Sequence, residues 1–248
     1  KRALDARRTR QAGGFSSARV MAPLQGRSRA AQQLRAELLR LAAYPAPLLL
    51  IAEPGSETES LARFVHQSGA RAAGPFLSWN PRALPADQAA VTLLDQAHGG
   101  TLYIGDIEQL PESARGLLAG ILEAGSYTRG GSTQPVKCEV RFIATALPGI
   151  ETRAGGPTIS RDLYAHLGVL PLRVPPLREY AEDVPELLRQ CIDQLTASEK
   201  LQFRRASVAV QNRLRNYPWP DNLRELRNLL RRLLLRGGAE EISLEEVE

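Results

Sequence analysis

One short stretch of the chain, residues 48–67, combines residue types whose spacing suits the binding of an anion. Residues 48–52 are consecutive apolar side chains and predict a buried parallel strand. A loop rich in Pro, Gly and Ser follows, and a helical pattern begins at Thr58. A strand, a tight loop and a helix form the arrangement in which backbone N–H groups and a helix N-terminus hold phosphates. The stretch therefore predicts the scaffold of a phosphate-binding loop.

The side chains of this loop differ from those that bind a nucleotide. The phosphate-binding pattern is Gly-x-x-x-x-Gly-Lys-Ser/Thr, whereas residues 52–59 read Ala-Glu-Pro-Gly-Ser-Glu-Thr-Glu. Ala52 and Glu57 stand at the two glycine positions, and Thr58 stands at the lysine position. The sequence thus predicts a degenerate site that keeps the scaffold without its chemistry. In this loop the site comprises Gly55, Ser56, Glu57, Thr58 and Glu59.

The charge of the loop also argues against a bound triphosphate. Two unit charges 4 Å apart interact by about 4 kcal/mol at an effective dielectric of 20, and Thr58 forfeits one such attraction. Glu57 and Glu59 add repulsion at the rim. Because glutamates near a helix N-terminus complement the helix dipole, we expect the acidic loop to cap its own helix and to need no anion.

The composition indicates a large aliphatic core. The chain has 248 residues, of which 43% are apolar but only 5% aromatic, and its net charge is +5. This charge permits contact with nucleic acid without demonstrating it. Cys138, Cys191 and three scattered histidines indicate neither a metal site nor a disulfide framework. No apolar run approaches about 18 residues and no secretory leader is visible, so we expect a cytoplasmic protein without a membrane partner.

The first part of the chain predicts strands that alternate with helices. The predicted strands are residues 48–52, 75–79, 101–107, 136–146 and 170–174, and the predicted helices are 26–43, 58–67, 86–97, 110–124 and 160–168. Ser28 is a suitable N-cap for the first helix. Alternation of this kind indicates an α/β fold with a parallel sheet between layers of helices.

The pattern changes after residue 175. Residues 181–195, 207–216 and 222–236 predict helices with no strand between them, and the last helix carries a leucine stripe opposite its arginines. We therefore predict a linker over residues 1–22, an α/β core over 23–174 and a small all-helical domain over 175–248.

Three long motifs resemble segments of one protein family. They are LPLRVPPLREYAEDVPELL (170–188), YPWPDNLRELRNLLRR (217–232) and GGTLYIGDIEQLP (99–111). These motifs are similar to those of the central AAA+ domain of NtrC-type bacterial enhancer-binding proteins, the activators of sigma-54 RNA polymerase. The resemblance covers roughly residues 24–248. It implies a P-loop-type parallel sheet sandwiched by helices, followed by an all-helical AAA+ lid.

The resemblance also shows where the chain departs from the family. The Walker B pair, which holds Mg²⁺ and polarises the attacking water, falls on Gly105 and Asp106, and only Asp106 has a carboxylate. The two arginine fingers, which reach a neighbouring subunit, fall on Ser160 and His166. Arg161 is one residue out of register, about 100° around a helix, and is a poor substitute.

Two further family features are changed and one is kept. Leu147 stands near the position of the sensor asparagine, and the GAFTGA loop that contacts sigma-54 has no counterpart. Only residues 86–93 are available for that loop, which is too short for a projecting hairpin. Arg224 matches the sensor-two arginine of the lid, so the degenerate nucleotide site also includes Asp106 and Arg224.

A cyclic-dinucleotide site is an alternative to an empty scaffold. Some relatives bind cyclic di-GMP on this domain, and Arg63 matches one of the arginines that they use. The neighbouring asparagine is Phe64 here, and the lid Glu-x-x-x-Arg falls on residues 190–194, so the clamp is incomplete. A different anion or cyclic-dinucleotide pocket would use Arg19, Arg27, Arg29 and Arg63.

The predicted function is that of a degenerate, non-hydrolysing AAA+ domain of a bacterial transcriptional regulator, acting in self-association and signal relay and not through sigma-54 remodelling. We expect no enzymatic activity, no catalytic residue, no metal and no cofactor, with weak binding of ATP, ADP or cyclic di-GMP left open. The expected partners are further copies of the chain, RNA polymerase, and DNA through a separate C-terminal helix-turn-helix domain. The alternatives are a ligand-binding regulatory module and an active ATPase with unorthodox residues.

Overall fold

The computed structural model describes residues 26–80, 86–129, 132–155 and 159–247, so the predicted linker lies outside it. The elements of the core are α1 (Arg29–Ala42), β1 (Leu48–Ile51), α2 (Thr58–Gln67), β2 (Phe76–Trp79), α3 (Ala86–Gln96), β3 (Thr101–Ile104), α4 (Glu112–Ala124), β4 (Ser126–Thr128), β5 (Pro135–Lys137), β6 (Arg141–Ala146), α5 (Ile150–Arg153), α6 (Arg161–Leu167) and β7 (Leu170–Arg173). The elements of the lid are α7 (Val184–Glu199), β8 (Arg205–Ala206), α8 (Val208–Arg215), α9 (Asn222–Arg236) and β9 (Glu241–Ile242). Short 3₁₀ turns span Ile107–Gln109, Leu177–Asp183 and Leu244–Glu246.

Five parallel strands form the central sheet in the order β2–β3–β6–β1–β7. Strand β1 is hydrogen-bonded on both sides, where Leu48 pairs with Ile143 of β6 and with Leu170 of β7. All four residues of β1 are buried. The predicted α/β fold with a parallel sheet is thereby confirmed.

The side chains of β1 alternate between two apolar layers. Leu48 and Leu50 pack with α1 and α2 on one face, whereas Leu49 and Ile51 pack with α3, α4 and α6 on the other. Alternate strand residues point to opposite faces, so a continuous apolar run is required where both faces are covered by helices. This arrangement holds the carboxyl end of β1 rigidly inside the core.

The lid has its own core around Trp219. This side chain is almost completely buried, and its indole Nε1 donates to the Leu214 carbonyl at 2.9 Å. The leucine stripe of α9 is buried here as predicted, namely at Leu223, Leu226, Leu230, Leu233 and Leu234. Within the described ranges, no helix is long and apolar enough to cross a membrane.

The start of α1 is attached to the lid by one carboxylate. Asp183 accepts hydrogen bonds from the backbone N–H groups of Arg27 at 2.8 Å and Ser28 at 3.0 Å. The Ser28 hydroxyl in turn accepts from the Ala31 N–H at 3.1 Å, which confirms Ser28 as the N-cap. Core and lid are therefore connected at the first turn of α1 as well as through the chain.

Two predictions about strands were incomplete. The predicted strand over residues 136–146 is divided, because its first part (β5) pairs antiparallel with β4 in a small hairpin and only β6 joins the central sheet. The second domain is not all-helical, since β8 and β9 form a short parallel pair. Both differences depend on pairing partners that lie elsewhere in the chain, which apolar periodicity does not identify.

His66 generates a prediction about stability and pH. Its ring lies buried in α2, where Nδ1 and the Thr101 hydroxyl are 2.9 Å apart. Burial lowers the pKa of His66, and the positive charges of Arg141 and Arg63 lower it further. Below pH about 6.5 the unfolded chain therefore binds a proton that the folded chain rejects. The free energy of unfolding should fall as pH is lowered through this window, by at most about 1.4 kcal/mol per pH unit from this group.

Urea unfolding at about pH 7.5 and about pH 5.5 measures this effect. His66→Gln, which cannot titrate, should show a weaker loss of stability at the lower pH than the unmodified chain. His98→Gln is the matched control for the substitution itself, because His98 is exposed. Equal slopes for His66→Gln and the unmodified chain would contradict the assignment.

Candidate functional site

A cleft of about 700 Å³ opens at the carboxyl ends of β1, β3 and β6. Ligand sites in open parallel sheets occur at this edge. The cleft is lined by the loop after β1, by the residues after β3 and β6, and by Arg224 of α9. The structure therefore brings together the predicted residues of the degenerate site, which are Gly55, Ser56, Glu57, Thr58, Glu59, Asp106 and Arg224.

The loop keeps a conformation suited to glycine at two positions. Gly55 has a φ of 79°, and Glu57 has a φ of 50° and a ψ of 43°. A left-handed backbone costs a residue with a side chain about 1 kcal/mol. The buried Ser56 hydroxyl donates to the Glu53 carbonyl at 2.8 Å and closes the turn. The fold of the loop thus persists although a glutamate occupies a glycine position.

The prediction that the acidic loop caps its own helix was wrong for Glu57. Its side chain makes no capping hydrogen bond to α2 and instead pairs with Arg227 of α9, with Oε1 and Nε 3.2 Å apart. Glu59 does lie in the first turn of α2, but its carboxylate pairs with Arg63 at 2.6 Å and accepts from the Ser78 hydroxyl at 3.1 Å. The orientation of each carboxylate is therefore set by its own arginine partner and not by the N–H groups at the start of the helix.

At the lysine position of the loop, Thr58 forms a hydrogen bond between two neutral hydroxyl groups. The hydroxyls of Thr58 and Tyr103 lie 2.8 Å apart. Tyr103 is buried in β3, and this burial raises the pKa of its phenol against the effect of hydrogen bonds from Thr58 and Thr145. The phenol is therefore neutral near pH 7. Among the described residues, none places a positive charge at the position from which the lysine of a phosphate-binding loop would contact a phosphate.

Of the two positions directly after β3, only Asp106 offers a carboxylate to the cleft. Gly105 has no side chain, while the Asp106 N–H donates to the Thr145 hydroxyl at 2.8 Å and holds Asp106 at a φ of 46°. The Asp106 carboxylate is exposed, and it accepts a long hydrogen bond from the Gln109 side chain at 3.4 Å. Of the described residues, no group of three or more His, Cys, Asp or Glu side chains is placed to hold a metal ion.

Sequence reasoning missed Glu108. Its carboxylate accepts from the Leu147 N–H at 2.8 Å and pairs with Arg153 at 3.1 Å, and it is only 11% exposed. Glu108 therefore connects the residues after β3 to the end of β6, beside the position at which the family has its sensor asparagine. An acidic residue four positions beyond a buried strand was the available signal.

The cleft carries more acidic than basic side chains, and most of them are paired. Of the described lining residues, Arg224 alone is cationic, and it pairs with Asp221 at 2.7 Å. Four lining glutamates each face an arginine, in the pairs Glu53–Arg178, Glu57–Arg227, Glu59–Arg63 and Glu108–Arg153. Asp106 is the lining carboxylate for which the described residues provide no ion pair. The cleft is consequently poorly suited to a polyanion.

The predicted finger positions lie on α6, away from the cleft. Ser160 is the N-cap of this helix, and its hydroxyl accepts from the Leu163 N–H at 3.2 Å. His166 lies in the last turn, and the exposed Arg161 packs beside Gly155. A capping serine stabilises the helix locally, which accounts for Ser160 without a role between subunits.

The four arginines of the predicted anion pocket have different surroundings. Arg19 lies outside the described residues. Arg27 and Arg29 line two separate grooves beside the lid. Arg63 pairs with Glu59, and its guanidinium lies 4.3 Å from the centre of the Phe76 ring. A pocket shared by these arginines stays a prediction.

Comparison with known families assigns both halves of the chain. Residues 25–177 match the family described as the sigma-54 interaction domain, and residues 178–248 match the AAA+ ATPase lid domain. The boundary between these matches lies close to the predicted change at residue 175.

Curated relatives are similar along most of this chain. It is 34% identical over 244 residues to the DNA-binding transcriptional regulator NtrC of Rhizobium meliloti (strain 1021), covering 91% of this chain and 50% of the relative. It is 33% identical over 230 residues to the nitrogen assimilation regulatory protein NtrX of Azorhizobium caulinodans, covering 87% and 51%. The chain thus spans about half the length of these relatives.

Solved structures agree with the fold. The crystal structure of NtrX from Brucella abortus in complex with ATP has a TM-score of 0.83 at 27% identity, covering 99% of this chain and 60% of that one. The RuvB Holliday junction branch migration motor of Thermotoga maritima has a TM-score of 0.60 at 17% identity, covering 90% and 67%. The second likeness concerns the fold alone.

The hydroxyl pair at the lysine position can be tested by a double-mutant cycle. Tyr103→Phe and Thr58→Val should each lower the free energy of unfolding by about 1 kcal/mol. Each variant removes one of the two hydroxyls and leaves the other, which is partly buried, without this hydrogen bond. The double variant should lose less than the sum, with a coupling of about 1 kcal/mol in urea unfolding. Strictly additive effects would mean that the two hydroxyls do not interact.

Proposed function

The chain belongs to the sigma-54 interaction domain family of NtrC-type transcriptional regulators, and we propose that its AAA+ module works without ATP hydrolysis, through self-association and signal relay. The observation that carries this proposal is the Thr58–Tyr103 hydrogen bond, which fills the lysine position with neutral groups. On this proposal the module is not an enzyme and requires no cofactor or metal.

The donor set of the cleft supports the proposal because it does not fit Mg-ATP. Catalysis of phosphoryl transfer consists mainly of positioning and electrostatic stabilisation, and one arginine finger is commonly worth about 10³–10⁵ in rate. Here the lysine is replaced by Thr58, one metal-binding carboxylate by Gly105, and the fingers by other side chains. We derive no catalytic step from such a site.

The intact fold supports a role as a scaffold. Both the core and the lid have complete apolar interiors, so the module can present defined surfaces without a nucleotide. The curated relatives are about twice as long as this chain and are named as transcriptional regulators. We propose that the module relays a signal between a sensory domain and a DNA-binding domain, with further copies of the chain, RNA polymerase and DNA as partners, in the cytoplasm.

The connection between β2 and β3 supports an action other than sigma-54 remodelling. Helix α3 occupies residues 86–96 of this connection and leads directly through Gly99 and Gly100 to β3. Residues 81–85 lie outside the described part of the chain. The described connection thus contains a helix packed on the sheet where the family carries its projecting GAFTGA loop.

Hydrolysis is the first test. Purified protein with Mg-ATP should release no phosphate above the background of an Asp106→Ala variant, at low or high protein concentration. The reason is that no lysine or arginine finger stands at the family positions to stabilise the transition state. Phosphate release that depends on protein concentration and disappears in Asp106→Ala would establish an active ATPase instead.

Nucleotide binding is the second test, and it separates the scaffold from a ligand-binding module. A ligand at 100 times its dissociation constant stabilises the folded state by about 2.7 kcal/mol. We expect ATP, ADP, GTP and cyclic di-GMP to leave the melting temperature unchanged. The double variant Glu57→Gly/Thr58→Lys, which returns the second glycine and the lysine of the phosphate-binding pattern, should bind Mg-ATP in calorimetry.

Two outcomes would favour the alternatives. Stabilisation of the unmodified chain by ATP or ADP would show that the cleft still binds a nucleotide. Stabilisation by cyclic di-GMP that is lost in Arg63→Ala would identify a cyclic-dinucleotide receptor. Arg40→Ala is a matched control for the loss of a positive surface charge, since Arg40 pairs with Glu37 on the exposed side of α1.

A further inference from the structure

The loop after β1 is in contact with the lid along most of its length. The Pro54 carbonyl accepts from the Asn222 side chain at 2.9 Å, and the Gly55 carbonyl accepts from the Arg224 N–H at 3.1 Å. A Cβ placed on Gly55 would lie 1.9 Å from the Asp221 carbonyl oxygen. The first turn of α9 therefore lies directly on the loop.

Two ion pairs extend this contact on either side. Glu53 forms a two-pronged pair with Arg178 at the start of the lid, at 2.6 and 2.7 Å. Glu57 forms a similar pair with Arg227 of α9, in which Nε and Oε1 are 3.2 Å apart and Nη2 and Oε2 are 3.3 Å apart. The Glu57 side chain is only 18% exposed, while the Glu53 side chain is 27% exposed.

The Glu57–Arg227 pair results from the substitution that distinguishes this loop. A glycine at position 57 would accept the left-handed backbone without strain, but it would have no side chain with which to reach the lid. The glutamate keeps the backbone conformation and places a carboxylate against an arginine of α9. The position that would approach a phosphate in a nucleotide-binding loop is used here for a contact within the molecule.

We propose that the Glu57–Arg227 ion pair is a latch that holds the lid on the core without a nucleotide. The carboxylate supplies to the lid, from within the chain, the negative charge that a bound anion would otherwise supply across the cleft. Because both charges are partly withdrawn from water, removing one leaves the other poorly solvated. The latch concerns the position of the lid, and it therefore goes beyond the proposed loss of hydrolysis.

Amide hydrogen exchange at Arg224 reports on the latch, because this N–H is bonded to the Gly55 carbonyl only while the lid rests on the loop. In Glu57→Gln and in Arg227→Met, exchange at this amide should be about tenfold faster than in the unmodified chain. The double variant, which leaves no unpaired charge, should fold and should also exchange faster at Arg224.

Two controls separate a latch from a general loss of stability. Glu59→Gln removes an ion pair that lies within α2, so exchange at Arg224 should be unchanged. The charge reversal Glu57→Arg/Arg227→Glu should restore slow exchange. Amides in the centre of β1, such as that of Leu50, should keep the exchange rate of the unmodified chain in every variant.

Two results would overturn the latch. One is an unchanged Arg224 exchange rate in both single variants and in the double variant. The other is an equal acceleration at Arg224 and Leu50, which would show global unfolding rather than lid release. Neither result bears on hydrolysis, which the phosphate-release assay measures separately.

Discussion

A single backbone hydrogen bond at the start of α9 shows how the two halves of this molecule depend on each other. The first turn of a helix has N–H groups with no partner in the helix, and the Arg224 N–H finds its acceptor in the Gly55 carbonyl. Such close approach requires glycine at position 55, because a side chain there would collide with the Asp221 carbonyl. The lid helix therefore begins on the core loop, and the geometry of the cleft follows from that contact.

Most of the acidic side chains around the cleft form ion pairs with arginines of the same chain. Glutamates on the loop and after β3 each face an arginine from the lid, from α2 or from α5. Most of these pairs are partly exposed, so each contributes little stability by itself. Together these ion pairs disfavour the binding of a polyanion in the cleft, because the polyanion would have to compete with the carboxylates for the same guanidinium groups.

On the proposed function, the chain keeps the features of its family that support folding and differs from the family in the residues that would perform chemistry. The apolar strands, the Asp183 cap on α1 and the buried Trp219 of the lid are packing features that any function of this fold requires. On this proposal, Thr58, Gly105 and Ser160 remove contacts to a nucleotide while those packing features stay in place. Ser160 even acquires a structural role as a helix cap. The proposed loss of hydrolysis is physically compatible with an intact fold, because stability comes mainly from the buried apolar surface.

The amino-acid sequence by itself determined the parallel α/β core, the helical lid and the residues of the cleft, because apolar periodicity and long motifs report directly on burial and on local conformation. The resemblance to the family placed the residues after β1 and β3 in one site, and they do line one cleft, since carboxyl ends of parallel strands share one edge of a sheet. Only the tertiary structure decided which charges pair. Glu57 was expected to cap α2 but contacts Arg227, 170 residues away in the chain, and Glu108 was not singled out. The pairing of β8 with β9 was likewise decided by a partner distant in sequence, whereas the β4–β5 hairpin joins neighbouring segments that apolar periodicity did not distinguish from the strand that follows. Ion pairs and strand pairs form between groups that are close in space. For groups that are far apart in the sequence, that proximity exists only once the sheet and the lid have packed.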